Sequence, residues 1–145
     1  MRFRGETIWI IGASSGIGRA LAVQLANEGA RLVLSSRNQT ALEALRDILD
    51  GDHMVLPLDV ADATAVLQAV QQLRDQQIHP KRLIFMAATF TPGNLHSFEV
   101  ARAQQTINVN LMGAIHLIHA ALPLLEDAGR GQMVFCSSVA GFRGL

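Results

Sequence analysis

The stretch "WIIGASSGIGRALA", residues 9–22, places glycines at 12, 16 and 18 between an apolar run and a pattern of helical period. Giving up side chains where a strand hands over to a helix restricts a chain to few folds. Glycine permits the tight turn and lets the helix lie close on its strand. The remaining sequence repeats this strand-then-helix rhythm. Apolar runs fall at 7–11, 31–34, 54–57, 82–86 and 132–136, and helical patterns at 16–28, 40–50, 62–76 and 98–126, the last expected to divide in two. In the second helix Ala41, Leu42, Leu45, Ile48 and Leu49 recur at the spacing of one inward face. Strands that are apolar nearly throughout, rather than alternating, are what a parallel sheet covered on both faces requires.

The pattern predicts an α/β fold, a doubly wound parallel sheet of about five strands with right-handed crossovers. No internal repeat, linker or compositional break divides the 145 residues, so one domain over 1–145 is expected. Half of the residues are hydrophobic and 17% are charged, which suits a packed core and not a disordered segment. Twelve basic residues balance twelve acidic ones, with no basic run to attract nucleic acid or an anionic membrane. The apolar stretch 111–125 carries His116, His119 and Pro123 and is too short to span a bilayer. The lone cysteine, Cys136, excludes an internal disulfide framework and fits a reducing compartment. A cytoplasmic protein with no membrane or nucleic-acid partner is expected, and Cys136 reads as a core residue.

In a doubly wound sheet the first strand–helix turn is where a dinucleotide pyrophosphate rests, its oxygens facing backbone N–H groups at the start of the helix. Gly12, Gly16 and Gly18 suit the three glycine roles there: tight turn, close backbone approach and helix–strand packing. Ser14 and Ser15 add hydroxyl donors, and Ile17 is expected to point inward beneath the turn. The spacing is G-x-x-x-G-x-G, not the commoner G-x-G-x-x-G. About twenty residues beyond the turn, an acidic side chain would select NAD by holding its ribose 2′-hydroxyl. Here that place holds Ser36, followed by Arg37, a pair suited to a 2′-phosphate through charge-assisted hydrogen bonds. NADP is therefore expected in preference to NAD; the alternative for Arg37 is a solvated side chain at a helix start.

"GASSGIG" resembles the signature of the short-chain dehydrogenase/reductase family, in its compact branch, with Ile11 in place of the usual preceding threonine. The resemblance runs through the whole chain and implies an NAD(P)-binding Rossmann domain. In "LPLDVAD" it assigns adenine contact to Asp59 and Val60, although Asp59 could equally cap the following helix, as Asp62 is expected to do. Where the family shows Asn-Asn-Ala-Gly, this chain reads Met86, Ala87, Ala88, Thr89, and only Ala88 keeps its place against the cofactor ribose. "INVNLMG" matches the family's N-x-x-G at Asn110 and Gly113. There the Asn interrupts a helix and its carbonyl holds a water on the proton-relay path. Asn is also a poor residue for a helix interior on its own account, whereas Asn108 reads as a helix-boundary residue. In "CSSVAG" the spacing to Ala140 and Gly141 assigns the catalytic serine to Ser138, whose hydroxyl would polarise a substrate carbonyl.

The family also uses a Tyr about a dozen residues beyond this serine and a Lys four residues after the Tyr. The 145 residues contain no tyrosine. Two classes of function follow. One is an NADP-dependent oxidoreductase that moves hydride between nicotinamide and a small-molecule carbonyl or alcohol, of which this is the cofactor-binding part. The other is a non-catalytic cofactor-binding or interaction protein. His116 and His119 share a helix face, but no further ligand converges on them, so no metal site is expected. Two apolar stripes on the long helix, one through Ile107, Leu111, Ile115, Ile118, Leu122 and Leu125 and the other through Ala114, Leu117, Ala121 and Leu124, exceed what packing on one sheet needs. The family makes subunit contacts in this region, which implies a homo-oligomer, a dimer or a tetramer.

Overall fold

The structure is a computed structural model, describing residues 1–92, 95–127, 129 and 131–139. Five strands, β1 (Thr7–Ile11), β2 (Arg31–Ser35), β3 (Met54–Val55), β4 (Arg82–Phe85) and β5 (Gln132–Phe135), form one sheet in the order β3-β2-β1-β4-β5. Every pairing is parallel; Ile8 stands beside Leu32 on one side and Arg82 on the other. Helices α1 (Gly16–Asn27), α2 (Gln39–Arg46) and α3 (Ala63–Asp75) connect successive strands. A longer helical run lies between β4 and β5: α4 (Val100–Ile107), a π turn (Asn108–Met112) and α5 (Gly113–Asp127).

Alternate residues of each strand feed two apolar layers, as the period of two dictates. Ile8, Ile10, Leu32, Leu34 and Ile84 pack with Ala22 and Leu25 of α1 and Leu42 and Leu45 of α2. Trp9, Ile11, Val33, Leu83 and Phe85 meet Val66, Val70 and Leu73 of α3 and Leu117, Ala121 and Leu124 of α5 on the other face. Two of the polar groups that this burial traps are paired across the chain. Trp9 Nε1 donates to the hydroxyl of Ser35 at 2.8 Å. The buried His53 accepts the Leu32 N–H on Nδ1 at 3.1 Å, so its proton lies on Nε2, which faces the Asp50 carbonyl at 3.0 Å.

Several boundaries differ from expectation. Helix α2 stops at Arg46 because the chain tightens there: Ile48 and Leu49 donate to carbonyls only three residues back. Ile48 is consequently exposed and not part of the inward face. Strand β3 is the sheet's edge, where Pro57, lacking an N–H, is tolerated; Leu56 and Leu58 still donate to the Leu34 and Ser36 carbonyls. At the opposite edge, Val134 and Phe135 of β5 are exposed, so coverage of both faces fails there.

Of the two stripes on the long helix, Leu117, Ala121 and Leu124 face the sheet and are fully buried. Ile107, Leu111, Ile115, Ile118 and Leu122 are exposed, while Leu125 departs from that stripe and is buried. The run Val100–Asp127 is, by length and composition, long and apolar enough to cross a bilayer. Here its inner side packs on the sheet and on α3.

Candidate functional site

Strand order runs one way from β1 through β2 to β3 and the other way from β4 to β5. The loops after β1 and β4 therefore part at the carboxyl end of the sheet, the place where such folds hold ligands. A cleft of about 720 Å³ opens there. The glycine turn forms one wall, with Gly12, Ser14, Ser15, Gly16, Ile17 and Gly18. Ser36 and Arg37 continue it beyond β2, Asp59 and Val60 beyond β3, and Ala88 beyond β4. Asn110 and Ser138 close the far side. Every site residue expected from the sequence thus faces one cavity, although they span more than a hundred positions.

Each glycine of the turn has its own physical reason. Gly12 has φ +95°, and a Cβ there would come within 2.6 Å of the Ala87 backbone nitrogen, so the turn leaves β1 in close approach to the backbone just after β4. Gly16 has φ +54° with open space beside it, facing the cleft. A Cβ on Gly18 would overlap the Gly12 carbonyl oxygen, because α1 lies directly on the turn. The backbone N–H groups of Gly12 and Ala13 both donate to the Ser35 carbonyl, at 2.7 and 3.1 Å. Ser35 thus anchors the turn to the end of β2, a role the sequence reading missed; the sole hint was a polar residue ending an otherwise apolar strand.

Ile17 corrects an expectation. It is 72% exposed and lines the cleft, since the inward place in the turn is taken by the fully buried Ala13. Cys136 is a second correction. It lies exposed beside Ser137 in the cleft wall, because it follows the edge strand β5 instead of a covered one.

The helix ends differ in a telling way. Asn38 caps α2 by accepting from Ala41 N–H, and Asp62 caps α3 by accepting from Thr64 and Ala65. Helix α1 has Ser15 as its N-cap but no side-chain cap, so its first N–H groups, at residues that line the cleft, lack one. Helix α4 also lacks one, but its cap residue Glu99 does not line the cleft. Asp59 caps no helix. Its Oδ1 accepts the Ala61 N–H at 3.0 Å and so shapes the loop that faces the cavity. Arg37 is exposed and makes no ion pair among the described residues.

Asn110 sits within the π turn, where the Gly113 N–H reaches back five residues to the Asn108 carbonyl. The helix is widened there, not cut. The Asn110 side chain grips the backbone of Thr89 from both sides: Oδ1 accepts its N–H at 2.8 Å and Nδ2 donates to its carbonyl at 2.9 Å. This clamp fixes the loop after β4. Asn108, as expected, is a boundary residue that closes α4 and accepts from Gln104. Ser138 lies exposed at the cleft's β5 side, while Ala140 and Gly141, from which its assignment was spaced, lie outside the described residues.

His116 is held by the Val60 carbonyl, and among the described residues no group of three His, Cys, Asp or Glu side chains could hold a metal ion.

A family model for short chain dehydrogenase matches residues 6–145. The chain belongs to the short-chain dehydrogenase family. That membership implies an NAD(P) cofactor in general terms. An uncharacterized oxidoreductase of Myxococcus xanthus is 34% identical over 143 residues, covering 97% of this chain and 56% of the relative. A ketoacyl reductase of Nostoc sp., HetN, is 31% identical over 144 residues, covering 97% and 50% respectively. The chain thus spans about half the length of the curated relatives it matches. Among solved structures, the serine dehydrogenase of Escherichia coli has the same fold, with a TM-score of 0.88 at 21% identity, over 96% of this chain and 65% of that one. A short-chain dehydrogenase/reductase family protein reaches a TM-score of 0.86 at 26% identity, over all of this chain and 60% of its own.

Proposed function

We propose that these residues form the cofactor-binding part of an NADP(H)-dependent oxidoreductase acting on a small carbonyl or alcohol. The observation that carries this is the start of α1, uncapped and glycine-lined, opening onto the cleft at the point where strand order reverses. A pyrophosphate suits it, since the free N–H groups and the positive end of the helix dipole favour an anion. Bound there, NADP would supply hydride exchange at the nicotinamide ring. Gly16 and Ser15 would hold the phosphates, Asp59 and Val60 the adenine, and Ala88 would let the ribose lie on backbone. Ser138 would hydrogen-bond the substrate oxygen as charge gathers on it. Asn110 would keep the β4 loop in place and present its backbone to the proton path.

Arg37 would distinguish the two cofactors. With no carboxylate partner among the described residues, its guanidinium is available to a 2′-phosphate. Arg37→Ala is expected to weaken NADPH binding by about 1–3 kcal/mol, the worth of a charge-assisted contact, and to leave NADH binding unchanged. Calorimetric titration of both cofactors against both variants measures this. Equal losses would show that Arg37 does not read the 2′-phosphate, and no binding of either cofactor by the unaltered protein would overturn the oxidoreductase proposal itself.

The exposed stripe through Ile107, Leu111, Ile115, Ile118 and Leu122 supports a homo-oligomer, since a row of half-exposed aliphatic side chains on one helix is costly to leave in water. A dimer or tetramer by light scattering, shifted toward monomer in Leu111→Lys, is the expected result. Cytosolic residence is part of the same proposal, and fractionation of cells tests it.

A further inference from the structure

Helix α5 touches the loop after β3, one wall of the cleft, from behind. His116 is half-buried, and its Nδ1 lies 3.0 Å from the carbonyl oxygen of Val60, 56 residues earlier in the chain. A carbonyl only accepts, so Nδ1 carries the proton and donates. One turn earlier, Gly113 lies so close to the same residue that a Cβ would stand 2.6 Å from Val60 Cγ2. Val60 is buried, and its neighbour Asp59 is tied to Ala61 N–H. The loop after β3 is thus fixed from within by Asp59 and from α5 by Gly113 and His116. Packing alone gives no reason for a histidine here, because the next residue on the helix, Leu117, fills the core without any polar group. His116 itself does not line the cleft.

We propose that His116 is a positioning residue for the adenine subsite. By holding the Val60 carbonyl it fixes the height and tilt of the Asp59–Val60 ledge, and so sets affinity for the adenosine half of the cofactor without touching it. This rests on the proposal that Asp59 and Val60 contact adenine. Preorganisation of this kind acts by removing the ordering that a loose loop would need on binding.

The test uses two probes, adenosine 2′,5′-bisphosphate for the adenine half and nicotinamide mononucleotide for the other. His116→Leu keeps helix propensity and apolar bulk but loses the donor. It is expected to raise the dissociation constant for the bisphosphate about two- to tenfold, the range for losing one neutral hydrogen bond, and to leave the mononucleotide unaffected. His116→Asn, whose amide nitrogen occupies the place of Nδ1, should restore binding. Unchanged bisphosphate binding in His116→Leu, equal weakening of both probes, or failure of Asn to rescue would overturn the positioning role. Asp59→Ala separates the two proposals. If it weakens the bisphosphate while His116→Leu does not, the adenine subsite stands and only the role of His116 falls. If neither variant weakens it, both fall.

Discussion

Gly18→Val is expected to abolish NADPH binding and to lower the thermal midpoint by at least several degrees. The added Cβ would overlap the Gly12 carbonyl oxygen, and Gly12 has little room to retreat, because the Ala87 backbone lies only 2.6 Å from where a Cβ on Gly12 would stand. Helix α1 must therefore lift away from β1, which swings its free N–H groups off the cleft. Overpacking a close contact costs about 1–3 kcal/mol in general, and the loss of a phosphate site that needs several aligned donors is added to this. Gly16→Ala separates fold from function. That position has open space beside it, so the fold survives at about 1–2 kcal/mol for a non-glycine residue in the left-handed region, yet the new methyl faces the cleft. Differential scanning fluorimetry with and without NADPH reports both effects. A Gly18→Val protein that melts lower but binds NADPH with near-native affinity would remove the pyrophosphate from this turn.

What the sequence could show depended on how local the cause was. Strand β1 was legible to the residue, because five apolar and β-branched residues stand between Glu6 and the turn-forming Gly12. The cap at Asp62 was legible for the same reason, since the carboxylate and the N–H groups it accepts lie within three residues. The end of α2 was not: the apolar spacing runs on through Ile48, and only the tightening after Arg46 turns that side chain outward. Ile17 was misplaced because an apolar residue in a glycine turn looks like a plug for the core, whereas Ala13 already fills that place. Cys136 was misplaced because a cysteine ending an apolar strand looks buried, and nothing in the sequence marks β5 as an edge. Asn110 drew attention as a poor helix former, but its grip on Thr89 lies 21 residues away in sequence. The bond from His116 to Val60 is more distant still and left no mark in the sequence, which weighed the histidine only as a metal ligand and set that aside; the fold uses it as a hydrogen-bond donor.

Residues 1–145 by themselves are expected to turn over no carbonyl substrate, even where they bind NADPH. Reduction of a carbonyl needs a proton as well as a hydride, and no tyrosine is present to give one. The histidines are poorly placed to substitute. His116 donates to Val60, and neither it nor His119 lines the cleft. The single lysine, Lys81, enters β4 at the end of the sheet away from the cavity, its N–H bonded to Thr7, so it cannot hold a nicotinamide ribose. Cys136 does line the cleft, but its thiol is turned to the Ser137 carbonyl. Ser138 is proposed to polarise a substrate oxygen, yet polarisation without proton delivery would forgo the roughly 10²–10⁴-fold that a positioned acid contributes. A nicotinamide left without its ribose anchor loses alignment for hydride transfer as well. NADPH absorbance followed over a broad panel of ketones and aldehydes measures the outcome. A protein-dependent decay that disappears in Ser138→Ala would overturn the expectation, and its disappearance in Cys136→Ala as well would point to the thiol as the proton donor.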